Sequence, residues 1–489
     1  MPKHRRRLEQ NTVSSISRVP LFLFGVHSMA GLALEVSLIK AAGLSFGHDL
    51  PAAATVVALY VAGLALGAFL VDRAPRSYSP LLLFAGNEVL LGLTAFFLPQ
   101  FLKGADVAFV LLSSGLDGNM VFGVRFLTAA TVLLPSAALS GAAFPLISRC
   151  QDSAGAGPPR SAAFGLSLLY ATGTIGAAIG AWAGAVFLLP ATGTYSSLQI
   201  LGICYLAIAA MAATLQKKIG LPGVPPGKEN RPLQKGNSLL NLLAVLLGIA
   251  LFTSEMGWLK LLWLTLDPTP YVTGTTLAVI ILAMALGAGV AVYFTRHGSS
   301  HPTILALSVS GGALASLVVV WAGARPAIFS LQLLPPGNSF AGYLLATALA
   351  VFLLVAPSAF CHGAALISLL ALQRDRFRDS GRAASRLSAL HAAGSATGAL
   401  LVPYWLLPEL GLARTLALPV MLLASLPLIF FFFARDLRNR YATAAALPIL
   451  LAAPFVTSGS DITGAADSPA IIFHREDGSG VTEVVRTRD

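Results

Sequence analysis

The chain has 489 residues, of which 56% are hydrophobic and only 11% are charged, and it carries a net charge of +11. A soluble domain of this length has roughly a quarter of its residues charged, so the composition excludes the soluble globular class. Apolar runs of about 20 residues, the length that crosses a bilayer core, recur along most of the chain. We therefore predict an all-α polytopic membrane protein, since membrane-spanning strands would appear as ~10-residue alternating segments.

The chain begins with a basic segment, and the first apolar run starts at Pro20. This arrangement is similar to a secretory signal peptide, but the run is too long and lacks a small-residue cleavage site, so we predict an uncleaved first span. The hydrophobic pattern predicts about twelve transmembrane helices. Two further apolar runs, at 103–121 and 326–340, are predicted as interfacial pieces. The twelve predicted spans are 20–46, 50–71, 80–102, 122–148, 161–189, 194–215, 238–265, 271–294, 302–323, 341–371, 384–408 and 413–434.

The basic residues predict the orientation of these spans. With twelve spans, 23 of the 32 lysines and arginines fall on the side of the N-terminus and six on the other side. Because cytoplasmic loops carry the excess of Lys and Arg, we expect a cytoplasmic N-terminus. The excess is confined to short loops, so it indicates topology and gives no reason to expect nucleic acid as a partner.

The spans and loops divide the chain into six segments. Residues 1–19 are a basic cytoplasmic N-terminus, 20–215 the first six-helix repeat, 216–237 a Pro- and Lys-rich linker and 238–434 the second six-helix repeat. Residues 435–456 are a basic stop followed by a short apolar stretch. That stretch, at 441–456, fits either a thirteenth span or an interfacial helix. The polar tail 457–489 contains a strand, an Asp-Gly turn and a second strand, which is the pattern of a β-hairpin.

The two halves repeat one another at nearly constant offset. Because six spans are an even number, the repeats are parallel and related by an axis along the membrane normal, the relation found between the halves of major-facilitator-type transporters. Such halves form a cavity where they meet. The matched positions are Glu35 with Glu255, Lys40 with Lys260, Gly67 with Gly287, Pro135 with Pro357, Pro190 with Pro408 and Gly193 with Gly411.

Glu35 and Glu255 are the main candidates for a substrate or proton site. A charge in the middle of a span costs roughly 2.5–3.5 kcal/mol on insertion scales, so each must face the bundle interior, be protonated or be paired. Proton coupling or cation recognition is one interpretation, and an interhelical hydrogen bond that locks the halves is the other. Lys40 is five residues from Glu35 and so outside the i,i+3/i+4 neighbour rule. We expect Lys40 and Lys260 to extend to the outer interface.

Three further polar residues inside spans are candidates for the same site. Glu88 in the third span could join a cavity, although packing is the simpler interpretation. His27 lies two turns before Glu35 on the same helix, and His391 lies in the eleventh span. A single histidine in a membrane helix is more often a hydrogen-bond partner between helices than a proton relay. The chain contains no phosphate loop, zinc motif or nucleophile elbow, so we assign no catalytic residue, metal or cofactor.

Three motifs together resemble a known family. They are Gly31-Leu-Ala-Leu-Glu-Val-Ser-Leu-Ile-Lys40, Ala62-Gly-Leu-Ala-Leu-Gly-Ala68 and Leu169-Tyr-Ala-Thr-Gly-Thr-Ile-Gly-Ala-Ala-Ile-Gly180. These resemble the membrane half of bacterial fused major-facilitator/spermidine synthase proteins, over about residues 20–435. The resemblance implies the bacterial inner (plasma) membrane. The tail from Ile471 resembles the first strands of the synthase domain. The glycine loop and acidic residues of that domain match no position here, so no catalytic residue carries over.

Three functions follow as expectations. The first is a transporter-like bundle in the lipid bilayer that moves a small cationic solute such as a polyamine. The second is a membrane anchor for a downstream aminopropyltransferase-like synthase domain that is absent from this chain. The third is a structural or assembly protein without flux.

Overall fold

The computed structural model describes residues 2–46, 50–73, 77–153, 159–221, 223, 238–266, 268–323, 339–377, 379–434, 471–476 and 481–485. Within these residues the first half contains α1 (Pro2–Phe46), α2 (Leu50–Arg73), α3 (Pro80–Ser113), α4 (Gly118–Ser153) and α5 (Pro159–Ala183). A π-helical turn, Gly184–Leu188, and one α-turn, Leu189–Thr192, extend α5, and α6 (Thr194–Ile219) follows.

The second half contains α7 (Ser238–Leu266), α8 (Pro270–Arg296), α9 (His301–Gly323), α10 (Phe340–Leu354), α11 (Ala356–Phe377) and α12 (Ser380–Leu401). A π-helical turn, Val402–Leu406, leads from α12 into α13 (Leu407–Ala434). Two strands, β1 (Ile471–Glu476) and β2 (Val481–Val485), pair antiparallel in the tail.

Several helices begin where the sequence places a capping residue. Thr269 accepts a hydrogen bond from the backbone N–H of Val272 at 3.2 Å, and Pro270 follows it as the first residue of α8. Asp379 caps α12 by accepting from the N–H of Arg382 at 2.7 Å. These bonds satisfy helix donors that have no partner inside the helix, and they fix where each span begins.

The prediction of twelve spans is confirmed. In the described part of the chain, 11 helical segments are long and apolar enough to cross a membrane. One of them, Ser380–Ile429, is interrupted at Gly411, whose φ of 72° is outside the helical region. It therefore counts as two crossings. The tenth crossing is broken at Val355, close to Pro357, because a proline removes a helical hydrogen bond and clashes with the preceding turn.

Three sequence predictions about short segments have different outcomes. The predicted interfacial piece at 103–121 is wrong as a separate element, because residues Pro80–Ser113 form one continuous helix and α4 begins at Gly118. The two tail strands are present as predicted. The apolar stretch 441–456, most of 326–340 and the Asp-Gly turn of the tail lie outside the described residues.

The duplicated glycines mark close helix crossings that repeat in both halves. In α2, a Cβ on Gly67 would collide with the backbone carbonyl of Ala138 in α4; in α8, a Cβ on Gly287 would collide with that of Phe360 in α11. The same relation holds between α5 and α1, through Gly176 and Gly180, and between α12 and α7, through Gly394 and Gly398. Small residues let membrane helices approach this closely.

The junction between the fifth and sixth spans is also duplicated. Each fifth span ends in a π-helical turn followed by a Leu-Pro pair. A glycine with positive φ then turns the chain, Gly193 at 77° and Gly411 at 72°. Such a φ is strongly unfavourable for residues with a side chain. The backbone therefore confirms the internal repeat that the sequence indicates.

The halves meet along two contacts, and the internal repeat relates one contact to the other. Helix α2 packs on α12, and α5 packs on α8, so that the second span of each half lies against the fifth span of the other. At the second contact, a Cβ on Gly274 would collide with the Ala185 side chain. Large apolar side chains such as Leu70, Leu345 and Trp405 point outwards and are exposed, as expected for a surface that faces lipid.

Candidate functional site

Glu35 and Glu255 lie on equivalent helices, α1 and α7, and both are buried, with 9% and 6% of their surface exposed. Their carboxyl groups are close enough for their charges to repel each other. The structure thus places the two predicted glutamates on equivalent helices, within range of each other's charge. Because two carboxylates repel, a cation or a proton shared between them lowers the energy of the pair.

Lys40 and Lys260 differ in their surroundings. Lys40 lines a cavity of about 240 Å³ together with Val36, Ile39 and Trp263. Lys260 is only 5% exposed and has a partner within the protein, so the prediction that it extends to the interface is wrong. A lysine can be buried in this way because protein groups replace the water around its ammonium.

This cavity opens at the end of the bundle where α1 approaches α2 and where α7 approaches α8. Trp263 at its wall donates from Nε1 to the hydroxyl of Thr273 at 3.2 Å. Val36, the residue after Glu35, is also part of the lining. The cavity therefore leads from one membrane face toward the level of the glutamate pair.

The halves are in contact at the opposite end of the bundle. There the hydroxyl of Ser385 in α12 donates to the carbonyl of Ala68 in α2 at 3.0 Å. The guanidinium of Arg149, at the end of α4, donates to the carbonyl of Val71, and its side chain packs on Gly381 of the other half. The described residues thus place the cavity at one end of the bundle, where Tyr404 also bridges the halves through Thr55 and Pro51. The other end, held by the contacts of Ser385 and Arg149, is here called the closed end.

His27 and Glu88 form a buried pair in the first half. His27 Nδ1 is 3.0 Å from Glu88 Oε2, and the two side chains are 5% and 0% exposed. Asn87 donates to Glu88 Oε1 at 3.3 Å and to the carbonyl of Leu139 at 2.9 Å. Both carboxyl oxygens of Glu88 therefore lie within hydrogen-bond distance of a polar nitrogen.

Two tyrosines and a serine lie between this pair and Glu35, and the sequence reasoning did not select them. The Tyr60 hydroxyl donates to the carbonyl of Gly31 at 3.4 Å. The Tyr205 ring lies 5.6 Å from the His27 ring. The Ser140 hydroxyl lies beside both tyrosine hydroxyls. A tyrosine or serine in an apolar run gives no signal of its own, so only the tertiary structure reveals this cluster.

His391 lies elsewhere. Its imidazole is near that of His362 in α11, whose Nδ1 lies 2.9 Å from the carbonyl of Ser358. Among the described residues, Nε2 of each histidine has no hydrogen-bond partner. No group of three or more His, Cys, Asp or Glu side chains that could hold a metal ion occurs in the described part of the chain.

Twelve crossings in two parallel repeats define a multi-pass membrane protein with a fold of the major-facilitator type. No family model matches the chain, and no curated protein matches it. Solved structures of this fold do match. A bacterial homologue of the iron transporter ferroportin, in its outward-facing state, has a TM-score of 0.52 and 14% identity, over 91% of this chain and 98% of that one. The E. coli fucose:proton symporter has a TM-score of 0.50 and 14% identity, over 86% of this chain and 97% of that one.

Proposed function

We propose that this protein moves a small cationic solute, such as a polyamine, across the bacterial inner membrane, with Glu35 and Glu255 as its shared binding point. The observation that supports this most directly is the proximity of the two buried carboxyls. A cation between them offsets both the burial cost and the mutual repulsion. The N-terminus lies in the cytoplasm in this proposal, as the distribution of basic residues favours.

The cavity beside Lys40 and the closed opposite end support a transport role over a static one. In a cycle of alternating access, the halves rock about a fixed central site. The hydrogen bond between Ser385 and Ala68 and the packing of Arg149 on Gly381 join the halves at the closed end. These contacts must break for the site to open to the cytoplasm, and the cavity wall at Trp263 must close.

Uptake of radiolabelled putrescine into proteoliposomes tests this function. We expect Glu35→Gln and Glu255→Gln each to lower the uptake rate at least tenfold, because an amide keeps the shape of the side chain and removes the charge. Glu409→Gln is the matched control, since Glu409 is an exposed glutamate at a helix start. Equal uptake by all three variants and the native protein would remove the glutamates from the mechanism. If the glutamate variants only lower stability and the native protein shows no flux, the structural role replaces the transport role.

The paired tail strands favour one alternative, in which the bundle anchors a synthase-like domain. A lone two-stranded hairpin is marginally stable in water, and in this structure β1 lies against α13. Reading the gene past the codon for Asp489 tests this. A glycine-rich loop after a strand would support the anchor role, and a stop codon would refute it for this chain.

A further inference from the structure

The His27–Glu88 pair is an asymmetric feature of an otherwise symmetric bundle. At the offset of 220 that relates Glu35 to Glu255, the second half has Leu247 in place of His27, Leu251 in place of Gly31 and Ile280 in place of Tyr60. A buried ionisable pair is expensive and rarely retained without a role. The repeat thus keeps the central glutamate in both halves, but the second half has Leu247 and Ser308 at the positions equivalent to His27 and Glu88.

The first helix aligns this pair with Glu35 on one face. His27, Gly31 and Glu35 are four residues apart, so they stack along α1. Gly31 leaves a gap in the middle of this face, because it has no side chain. The Tyr205 hydroxyl lies 3.5 Å from where a Cβ of Gly31 would be, and the Tyr60 hydroxyl reaches the Gly31 carbonyl.

Hydroxyl groups thus continue from Glu35 to the pair. Tyr60 is close enough to Glu35 to interact with its charge, Ser140 lies beside Tyr60 and Tyr205, and Tyr205 is close to Glu88. The hydroxyls of Ser140 and Tyr205 are buried, and neither has a partner with hydrogen-bond geometry among the described residues. Both can therefore rotate to donate toward either end.

We propose that the His27–Glu88 pair receives the proton that Glu35 gives up when a cation binds. The inference depends on the proposed function only for the identity of the ligand that displaces the proton. The relay starts from a protonated Glu35, a Glu88 carboxylate and a neutral His27 imidazole. With the Nδ1–H of His27 donating to Glu88, the His27 Nε2 carries the lone pair.

The transfer balances in protons and charge. The O–H bond of Glu35 breaks, each hydroxyl passes one proton on and accepts one, and an N–H bond forms at His27 Nε2. Glu35 becomes a carboxylate beside the cation, while the pair changes from a net charge of −1 to zero. The proton stays inside the protein, so no net proton is released to solvent.

Other titratable groups around the pair do not take this role. The facing ones are Tyr205 from α6, Tyr60 from α2 and Glu35 from α1. Helix α4 presents Ser140, and the nearest such side chain of α5, Tyr170, is separated from His27 by the rings of Phe24 and Phe144. When His27 is compared with these groups, only His27 has an unperturbed pKa near neutral.

Calorimetric titration of the full-length protein with putrescine, in two buffers of different ionisation enthalpy at one pH, counts the protons released. We expect about zero protons per putrescine for the native protein. We expect about one for the double variant His27→Gln/Glu88→Gln, which removes the acceptor without leaving an unpaired buried charge. The control Tyr170→Phe should behave as the native protein. Release of one proton by the native protein, or equal counts for native and double variant, would overturn the relay.

A second measurement keeps the relay testable without a ligand. If putrescine gives no heat with native protein, the cationic substrate class of the proposed function fails, but the relay does not. Infrared spectra then follow the protonated-carboxyl band of Glu35, assigned by its loss in Glu35→Gln, as the pH rises. The double variant lacks the negative charge of the pair, so the band should disappear about one pH unit lower than in the native protein. An unchanged midpoint would refute the coupling.

Discussion

Gly67→Ala should destabilise the bundle even though it adds a single methyl group. The new Cβ would collide with the backbone carbonyl of Ala138, and the next nearest atoms, at 2.7 and 2.9 Å, also belong to the α4 backbone. A backbone atom cannot rotate away, so α2 and α4 must separate by about 1 Å along this crossing. Gaps of this size forfeit a quarter to a half of each contact, and overpacking of this kind costs about 1–3 kcal/mol.

Gly86→Ala is the matched control. No atom lies within 4 Å of the Cβ position of Gly86 in α3. Alanine is favoured over glycine in a helix by roughly 1 kcal/mol, so this variant should be neutral or slightly more stable. The unfolding free energies of the two purified variants, measured in mixed micelles, should therefore differ by about 2–4 kcal/mol.

The duplicated crossing supplies an internal test. Gly287 meets Phe360 in α11 as Gly67 meets Ala138 in α4. Gly287→Ala should therefore cost as much as Gly67→Ala, to within about 1 kcal/mol. If Gly67→Ala and Gly86→Ala have the same unfolding free energy, the close contact of α2 and α4 is absent and the reasoning fails.

Three further predictions follow from polar contacts and topology. Tyr205→Phe should leave the unfolding free energy unchanged or raise it, because the hydroxyl has no hydrogen-bond partner among the described residues; a loss above about 1 kcal/mol would show an unseen partner. Ser385→Ala should cost about 0.6 kcal/mol, the average for membrane hydrogen bonds, and should increase cysteine labelling at the closed end; unchanged labelling would mean that the bond to Ala68 does not hold the halves together. A single cysteine placed in residues 1–19 should react with a permeant reagent and not with an impermeant one applied to whole cells; the reverse would overturn the cytoplasmic N-terminus.

The architecture was predictable because its signals are backbone requirements repeated in both halves. Glycine is required where helices touch, so Gly67 and Gly287 remained alike, and Gly193 and Gly411 remained alike because their positive φ excludes other residues. The same symmetry gives Glu35 and Glu255 equivalent places on α1 and α7. These features could be read from spacing alone.

The remainder of the site could not be predicted for a physical reason. The pairing of His27 with Glu88 depends on how α1 and α3 are rotated against one another, and helix rotation is set by packing in three dimensions. Tyr205 is a common residue type in an apolar span. Lys260 lies at the same offset as Lys40, yet it is buried while Lys40 lines the cavity, because the surroundings of equivalent positions have diverged.

The single-residue junctions at Gly193 and Gly411 also restrict how the protein can move. Only one non-helical residue separates the fifth and sixth spans of a half, so the two spans must move together as one unit. The fifth span of each half also touches the second span of the other half, α5 with α8 and α12 with α2. Any rocking at these contacts therefore swings the sixth span, on the periphery of the bundle, through the surrounding lipid. In the proposed transport cycle, the thickness and stiffness of the membrane thereby act directly on the step that exposes the central glutamates.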